Sequence, residues 1–378
     1  MRDFGDNAML ALDTIERRPT VGIPIGFCHI MEHSTIERIA GTYSGSYIND
    51  PHGVFIKMMR NAGVCMIDQY IAENPLSMEA HGYEDRIKGV NEGGMAAVLD
   101  GIIINGPEDA AQHLEKYQIP QLRERISAFS EKDAIQSLIN YESQMQALFG
   151  NDILKAPYAV VYFPHLLYGL YGYEPFFTMY FMFPEIIERL FSLQADYAVL
   201  HNTAVVKAIE RAGLPKYCRL DHDMADSRGT LCSLSSLEKL WVPHFARSIK
   251  PAVDAGFTLL WHCDGNLMGL APYLLDCGVN GFQGFQYEDG MDYVNICRMK
   301  PKRGGPLVIQ AGISVTRTLP FGTPDDIARE MRFLVENGTP HMMLATSSSC
   351  MPGTPYENVK ACLDGFNYYR KYGIGGQR

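Results

Sequence analysis

The segment WHCDGN, residues 261–266, places several reactive side chains at the end of an apolar run. Successive side chains of a strand point to opposite faces, so His262 and Asp264 share one face. We expect these two residues to face a cavity and Cys263 to pack outward as an apolar residue. A histidine beside an aspartate is suited either to bind zinc or another divalent metal, or to transfer protons through an imidazole that the carboxylate orients.

Polar side chains end other apolar runs in the same way. In DHD, residues 221–223, the two aspartates point one way and the histidine the other. Any single member is weak evidence, because buried polar groups are normally hydrogen-bonded and aspartates often cap helices. Together they give catalytic candidates His262, Asp264, Asp223 and Tyr287; substrate-binding candidates His29, His33, Asp68, Asp221, His222, Gln286, Gln310 and Ser348; and metal-ligand candidates His262, Asp264 and Cys350.

The segment HIMEH, residues 29–33, matches the HxxEH pattern of inverted zinc proteases. That chemistry needs a helix to bring both histidines to one side, whereas here the motif follows an apolar run with glycine and proline close before it. We therefore do not expect a protease. The overlapping MEHSTIERIAG is typical of a short amphipathic helix.

The elements that must position these residues form a repeating pattern. Apolar runs alternate with helix-like segments, which predicts a parallel sheet covered by helices. The runs are VGIPIGF (21–27), VCMIDQY (64–70), YAVVYFP (158–164), YCRLDHD (217–223), FTLLWHCD (257–264), GFQGFQY (281–287), LVIQAGI (307–313) and HMMLATS (341–347). Eight runs favour an α/β fold of the (β/α)8 TIM-barrel type, whose site lies at the carboxyl ends of the strands.

Local signals add detail to this fold. AVLDGIIING, residues 97–106, predicts a hairpin inserted after the second strand, and residues 1–20 predict a helical N-terminal extension. Thr323 and Thr354 each precede a proline, as expected of helix N-caps, and Glu357 would complete a capping box with Thr354. We expect residues 1–378 to form a single domain.

Composition limits the partners and the compartment. The chain has 378 residues, is 47% hydrophobic and carries a formal charge of -10 without a basic stripe, which argues against nucleic acid and anionic membranes as partners. We find no signal-peptide pattern and no apolar stretch long enough to span a membrane. Nine cysteines without a CxxC motif indicate reduced thiols in a cytoplasmic protein. The sequence leaves homodimer formation open.

Several segments together resemble the uroporphyrinogen decarboxylase superfamily. They are DHDMADSRGTLCSLSSLEKLWVPHFARSI, WHCDGN, MDYVNICRMKPKRGGPLVIQAGISVTRTLPFGTPDDIAREM and GTPYENVKA, preceded by IAGTYSGSYINDPHGVF and YGYEPFFTMYFMFPEIIERL. The resemblance implies a (β/α)8 barrel. The decarboxylase itself has an arginine-rich RQAGRY-type segment that grips substrate carboxylates. GFCHIMEHSTIER stands there instead, so the resemblance is to the cobalamin (corrinoid)-dependent methyltransferases of the superfamily.

In that methyltransferase branch, HxCG after the fifth strand and a cysteine after the eighth bind zinc. His262 and Gly265 match the motif, Asp264 replaces its cysteine, and Ser348 replaces the later cysteine, with Cys350 two places beyond. The resemblance thus implies methyl transfer from a small O-methyl donor, such as a methoxylated aromatic compound, to a separate corrinoid protein, with zinc as a further expected cofactor. The chain has no DxHxxG corrinoid signature of its own. The alternatives are a decarboxylase or lyase acting on a small acidic substrate, and a non-catalytic binding partner in a corrinoid pathway.

Overall fold

The computed structural model describes residues 3–26, 29–73, 97–284, 286–287 and 290–375. Its strands are β1 (Met66–Ile67), β2 (Ala97–Leu99), β3 (Ile102–Ile104), β4 (Leu154–Lys155), β5 (Tyr217–Asp221), β6 (Ala225–Asp226), β7 (Gly229–Thr230), β8 (Thr258–His262), β9 (Gly281–Gln283), β10 (Val308–Ile313) and β11 (His341–Thr346).

The helices lie mostly between these strands. They are α1 (Asp6–Ile15), α2 (His33–Ala40), α3 (Ser46–Asn49), α4 (Pro51–Ala62), α5 (Pro107–His113), α6 (Ile119–Ser127), α7 (Glu131–Phe149), α8 (Tyr168–Tyr171), α9 (Tyr173–Met182), α10 (Pro184–Ala212), α11 (Leu234–Leu240), α12 (Val242–Asp254), α13 (Ala271–Cys277), α14 (Tyr293–Arg298), α15 (Thr318–Phe321), α16 (Pro324–Asn337) and α17 (Tyr356–Tyr372). A π-helical turn, Leu114–Gln118, joins α5 to α6.

The central sheet is parallel, as predicted for an α/β fold. Five strands lie in the order β11-β10-β9-β8-β5, and β1 pairs with β4 in a second parallel pair. Single β-bridges link Ile25 to Leu344 and Tyr158 to Arg219. The predicted hairpin is confirmed, because β2 and β3 pair antiparallel. A further hairpin, β6–β7, follows β5.

Two predicted strands are reduced to single β-bridges in the described residues. The described part of the first run contributes only the bridge at Ile25, and the third run, 158–164, contributes only the bridge at Tyr158. The paired strand in that region is β4, which lies earlier in the chain. Ala159 explains the difference, because its φ of 53° is left-handed and breaks the extended backbone directly after Tyr158.

Helix termini follow local sequence in most places. The Thr323 hydroxyl accepts a hydrogen bond from the Asp326 N–H, and the Asp326 carboxylate closes a capping box at the start of α16. The prediction for Thr354 is wrong. Its hydroxyl donates to the Met351 carbonyl, and α17 begins two residues later with no side-chain cap. Pro355 has extended backbone geometry there, so the cap position passes to it.

The predicted helical extension at the N-terminus is confirmed as α1, which packs beneath the sheet. Ala8, Ala11 and Ile15 are buried on its inner face. The Thr258 hydroxyl, at the start of β8, donates to the Ile15 carbonyl at 2.8 Å. The helix therefore covers the amino ends of the strands, opposite the ends where the candidate residues lie.

One continuous hydrophobic core includes residues from α1 through α17. The eight cysteines of the described residues are free thiols, and six of them are buried. Cys263 is among these six, so its predicted packing as an apolar residue is confirmed. No helix in the described ranges is long and apolar enough to cross a membrane.

Candidate active site

Strand register places four polar side chains in one row. Asp221 of β5 is level with His262 of β8, which is level with Gln283 of β9, which is level with Gln310 of β10. Residues in register on adjacent parallel strands point to the same face. The row therefore arises from backbone pairing and needs no loop to assemble it.

These four residues line a polar cavity of about 200 Å³. Every residue of its described lining is polar. The lining consists of His29, Asp68, Gln69, Arg219, Asp221, His262, Asp264, Gln283, Gln310, Thr346, Ser348 and Ser349. Most follow, or lie near, the carboxyl end of a strand, which is where sites form in parallel α/β folds.

His262 is the centre of a cluster of carboxylates. Its Nε2 lies 4.0 Å from Asp221 Oδ1 and 3.9 Å from Asp264 Oδ1. The shared orientation predicted for His262 and Asp264 thus agrees with the structure. Asp223 accepts the Asp264 backbone N–H at 2.8 Å and holds the loop after β8 in place.

The floor of the cavity is a buried arginine that the sequence analysis missed. Arg219 donates hydrogen bonds to Gln69 Oε1 at 2.7 Å and Gln283 Oε1 at 3.1 Å. Its Nε lies 3.2 Å from Asp68 Oδ2, and its guanidinium lies over the Tyr158 ring. Burial would lower its pKa, but Asp68 and Asp221 outweigh burial and raise it, so the charge persists.

Strand alternation was the signal that could have identified this arginine. Arg219, Asp221 and Asp223 are two residues apart along the same run, so they share a face. An arginine inside an apolar strand is costly to bury unless it is paired.

His29 also lines the cavity. Its Nδ1 lies 2.8 Å from the Ser349 hydroxyl oxygen. Burial, and then the positive charge of Arg219, lower the pKa of His29 to about 4. The imidazole is therefore neutral near pH 7 and adds no positive charge to the cavity.

Six candidates from the sequence are not in the described lining, and one of them is Asp223, described above. His33 begins α2, and its ring centroid lies 4.2 Å from that of Tyr47, with the two rings tilted at 38°. His222 faces away from the cavity, as the alternation predicted, and accepts the Leu166 N–H at its Nε2. The HIMEH histidines are consequently not brought to one side of a helix.

The remaining three make structural contacts. Gln286 Oε1 accepts the Gly265 N–H at 2.7 Å, and the Tyr287 hydroxyl donates to the Gly312 carbonyl at 2.9 Å. Cys350 is buried in the core, and burial raises the pKa of its thiol to about 11. A thiol with so high a pKa is protonated near pH 7.

Gly284 allows the ring of His262 to sit where it does. Its φ is +71°, and a Cβ at this position would lie 2.7 Å from His262 Nδ1. Any side chain here would both strain the backbone and displace the imidazole. The turn after β9 thus belongs to the support of the site.

The donor atoms present suit a divalent cation. One ligand atom from each of Asp223, His262 and Asp264 lies within 4.8 Å of the other two. One imidazole with two carboxylates is a set that zinc accepts, with further positions left for water or substrate. Cys350 was predicted to be a metal ligand but is not part of this cluster. Among the described residues, the third possible ligand is Asp223.

A larger cavity of about 590 Å³ lies between α6, α7 and α10, with Arg125, Tyr162 and His201 in its lining. Most of the residues in its lining are aromatic or aliphatic. Asp223, His262 and Asp264, the possible metal ligands among the described residues, are not in this lining. The smaller cavity is therefore the candidate active site.

Comparison with known proteins shows the fold. No family model matches the sequence, and no curated protein sequence matches it. A methyltransferase from Methanosarcina mazei is structurally similar, with a TM-score of 0.58 and 16% identity over 96% of this chain and 98% of that one. A candidate vitamin-B12-independent methionine synthase from Listeria monocytogenes has a TM-score of 0.45 and 14% identity over 94% and 97% of the two chains.

Proposed function

We propose that the protein is a corrinoid-dependent methyltransferase. It moves a methyl group from a small O-methylated compound, with methoxylated aromatic compounds as the first donors to test, to the cobalt of a corrinoid protein. The observation that carries the proposal is His262 between Asp221 and Asp264 at the carboxyl ends of adjacent parallel strands. Shared fold with a methyltransferase agrees with this proposal but does not define the reaction.

The reaction is a displacement at the methyl carbon. The electron pair of cobalt(I) forms the new cobalt–carbon bond, and the carbon–oxygen bond breaks with its pair on oxygen. The leaving alkoxide or phenoxide then needs a proton, and stabilising such a charge is worth a few kcal/mol. His262 is the group placed to supply that proton, because its Nε2 lies 4.0 Å from Asp221 Oδ1 and 3.9 Å from Asp264 Oδ1, whose charges would stabilise a protonated ring.

A divalent cation is compatible with the same residues. Asp223, His262 and Asp264 would hold it, and a cation bound there supplies Lewis acidity to an oxygen of the substrate. The oxygen-rich donor set differs from the thiolates that activate thiol acceptors. It therefore favours an oxygen-bound methyl group.

The acceptor must reach the cavity from outside the chain, because the sequence has no corrinoid-binding signature. We place the corrinoid protein over the carboxyl ends of the strands, where the cavity lies. Asp223 and Tyr287 stabilise the loops around the cavity. Asp223 accepts a hydrogen bond from the Asp264 N–H, and the Tyr287 hydroxyl donates one to the Gly312 carbonyl.

We also propose that the sheet closes into a (β/α)8 barrel within one domain. Backbone hydrogen bonds support closure on both sides of the five-stranded sheet. Gly26 N–H donates to the Leu344 carbonyl, and Cys65 N–H donates to the Ile25 carbonyl. On the other side Ala159 N–H donates to the Arg219 carbonyl.

The alternative, a decarboxylase or lyase acting on an acidic substrate, receives less support. Binding substrate carboxylates requires cationic groups. Arg219 is the one lysine or arginine in the described lining, and it is already engaged by Asp68.

The test is methyl transfer to reduced corrinoid. The purified protein is incubated with a corrinoid protein in the cobalt(I) state and a panel of methyl ethers, and methylcobalamin is followed by its absorption spectrum. We expect His262→Ala to lower kcat/KM by about 100-fold or more, because it removes the proton donor.

His341→Ala is the matched control, since His341 lies at the amino end of β11, away from the cavity. It should leave the rate unchanged. The proposal is overturned if no methyl ether, amine or thiol methylates the cobalt. Elemental analysis of the same proteins then distinguishes a proton donor from a metal ligand at His262. If His262 is a metal ligand, the variant protein should contain about one cation per chain less than the wild type.

A further inference from the structure

The charge of the cavity is strongly one-sided. Asp68, Asp221 and Asp264 line it, and Asp223 adjoins it. Arg219 is the one permanent cation in the described lining, and His29 is neutral. The net charge remains negative whether a protonated His262 or a bound divalent cation is added to this set.

Burial differs among these carboxylates. Asp68 is 4% exposed, the side chains of Asp221 and Asp264 are 26% and 38% exposed, and Asp223 is exposed. Charges at such partly buried positions are screened less than charges at an open surface, but salt still weakens their interaction. A second negative charge brought in by a substrate would therefore be repelled at short range.

An independent observation concerns Gln310. Its side chain lines the cavity and is 4% exposed, and its Oε1 has no hydrogen-bond partner among the described residues. A buried acceptor without a donor costs free energy until a ligand supplies one. In the amide orientation seen here, a substrate with an N–H or O–H group satisfies this oxygen.

We propose that this site selects methyl donors whose non-transferred part is cationic or neutral with hydrogen-bond donors, and rejects donors that carry a carboxylate. The inference rests on the proposed methyl transfer and specifies its substrate class. Among methoxylated aromatic compounds it separates amines and alcohols from benzoates. The negative charge of the cavity attracts the ammonium group of a protonated amine, and Gln310 can accept a hydrogen bond from an amine or an alcohol.

The test uses three donors of one shape. 4-Methoxybenzylammonium, 4-methoxybenzyl alcohol and 4-methoxybenzoate share the ring and the methoxy group and differ in the charge and the hydrogen-bond donors of the substituent opposite the methoxy group. We expect kcat/KM for cobalt methylation to fall in that order, by about tenfold or more from the ammonium to the carboxylate. The difference should shrink as ionic strength rises.

The same series is measured on protein treated with a chelator and on protein supplied with zinc. The order should persist in both, since the cavity stays negative in either state. A benzoate that is used as well as the ammonium compound would overturn the inference while leaving methyl transfer intact.

Failure of methyl transfer itself is distinguishable, because binding of the three compounds to the protein alone is measured by calorimetry. Tighter binding of the ammonium compound supports the inference even without turnover, and equal binding of all three refutes it. Asp221→Asn should reduce the preference, since it removes one charge and keeps an oxygen to accept the Tyr158 hydroxyl. Asp226→Asn, at an exposed pair with Arg228, is the matched control and should leave the order unchanged.

Discussion

At the scale of single residues, the environment of each histidine decides what it can do. His262 faces carboxylates, His29 lies beside Arg219, and His165 and His222 lie in an aromatic cluster behind β5. The sequence presents all of them as polar groups near strand ends. Their environments separate a candidate proton donor from histidines that stay neutral.

His165 should make stability depend on pH. Burial lowers its pKa to about 4, so the unfolded chain takes up a proton at a higher pH than the folded one. The free energy of unfolding must then fall as pH drops from about 6.5 towards 4. Between pH 7 and pH 5, this group should contribute a loss of roughly 2 kcal/mol.

His165→Phe tests this, because a phenyl ring can retain the stacking on Phe163 and no longer titrates. Urea unfolding at pH 7 and pH 5 should show a smaller loss for the variant than for the wild type. An equal loss in both proteins would mean that His165 does not titrate in this range.

The candidate site was predictable where it follows from alternation along one strand, and less so where it depends on packing across the sheet. His262, Asp264 and Asp221 share the cavity as strand periodicity suggests. Tyr287 and Cys350 were predicted to belong to the site because they follow strands. In the structure the Tyr287 hydroxyl donates to the Gly312 carbonyl, and Cys350 is buried in the core. Arg219 was overlooked because its charge appeared inside an apolar run.

At the scale of elements, the number of strand-like runs was easier to predict than their lengths. Five runs became the five-stranded sheet, and the 97–106 segment became a hairpin. The 158–164 run did not extend, because a single left-handed residue interrupts it. Hydrophobic periodicity carries no information about such a backbone angle.

Ala159→Gly should therefore stabilise the protein. The residue is exposed and has a φ of 53°, which costs a non-glycine residue about 1 kcal/mol. Glycine adopts this angle freely but loses more conformational entropy on folding, so we expect a net gain of about 0.5 kcal/mol in the free energy of unfolding. Chemical denaturation measures it, and Ala361→Gly, within α17, should cause a loss instead. A loss from both changes would show that Ala159 is not strained.

At the scale of the whole molecule, the two ends of the sheet have different tasks. The carboxyl end carries the polar cavity, and the amino end rests on α1. Thr258 and His262 begin and end β8, which separates them by about 13 Å at the rise of a strand. Parallel α/β architectures commonly divide stability and function between these ends.

This division predicts opposite effects from two substitutions. Ile15 is 2% exposed on α1 beneath the sheet, so Ile15→Ala should lower the free energy of unfolding by about 3 kcal/mol through the cavity it creates. Donor binding and kcat/KM should be unchanged at temperatures where the variant is folded, because nothing near His262 moves. If the alanine variant fails to fold, Ile15→Val can be measured instead, and it should lower the free energy of unfolding by about 1 kcal/mol.

His262→Ala should show the converse, with activity lost and the midpoint of unfolding nearly kept. Denaturant unfolding measures the stability of the two variants, and titration with the methyl donor measures their donor binding. If Ile15→Ala weakens donor binding as strongly as it weakens folding, the amino end of the sheet must be coupled to the cavity. The rigid row of Asp221, His262, Gln283 and Gln310 would then depend on α1 for its register, rather than on strand pairing alone.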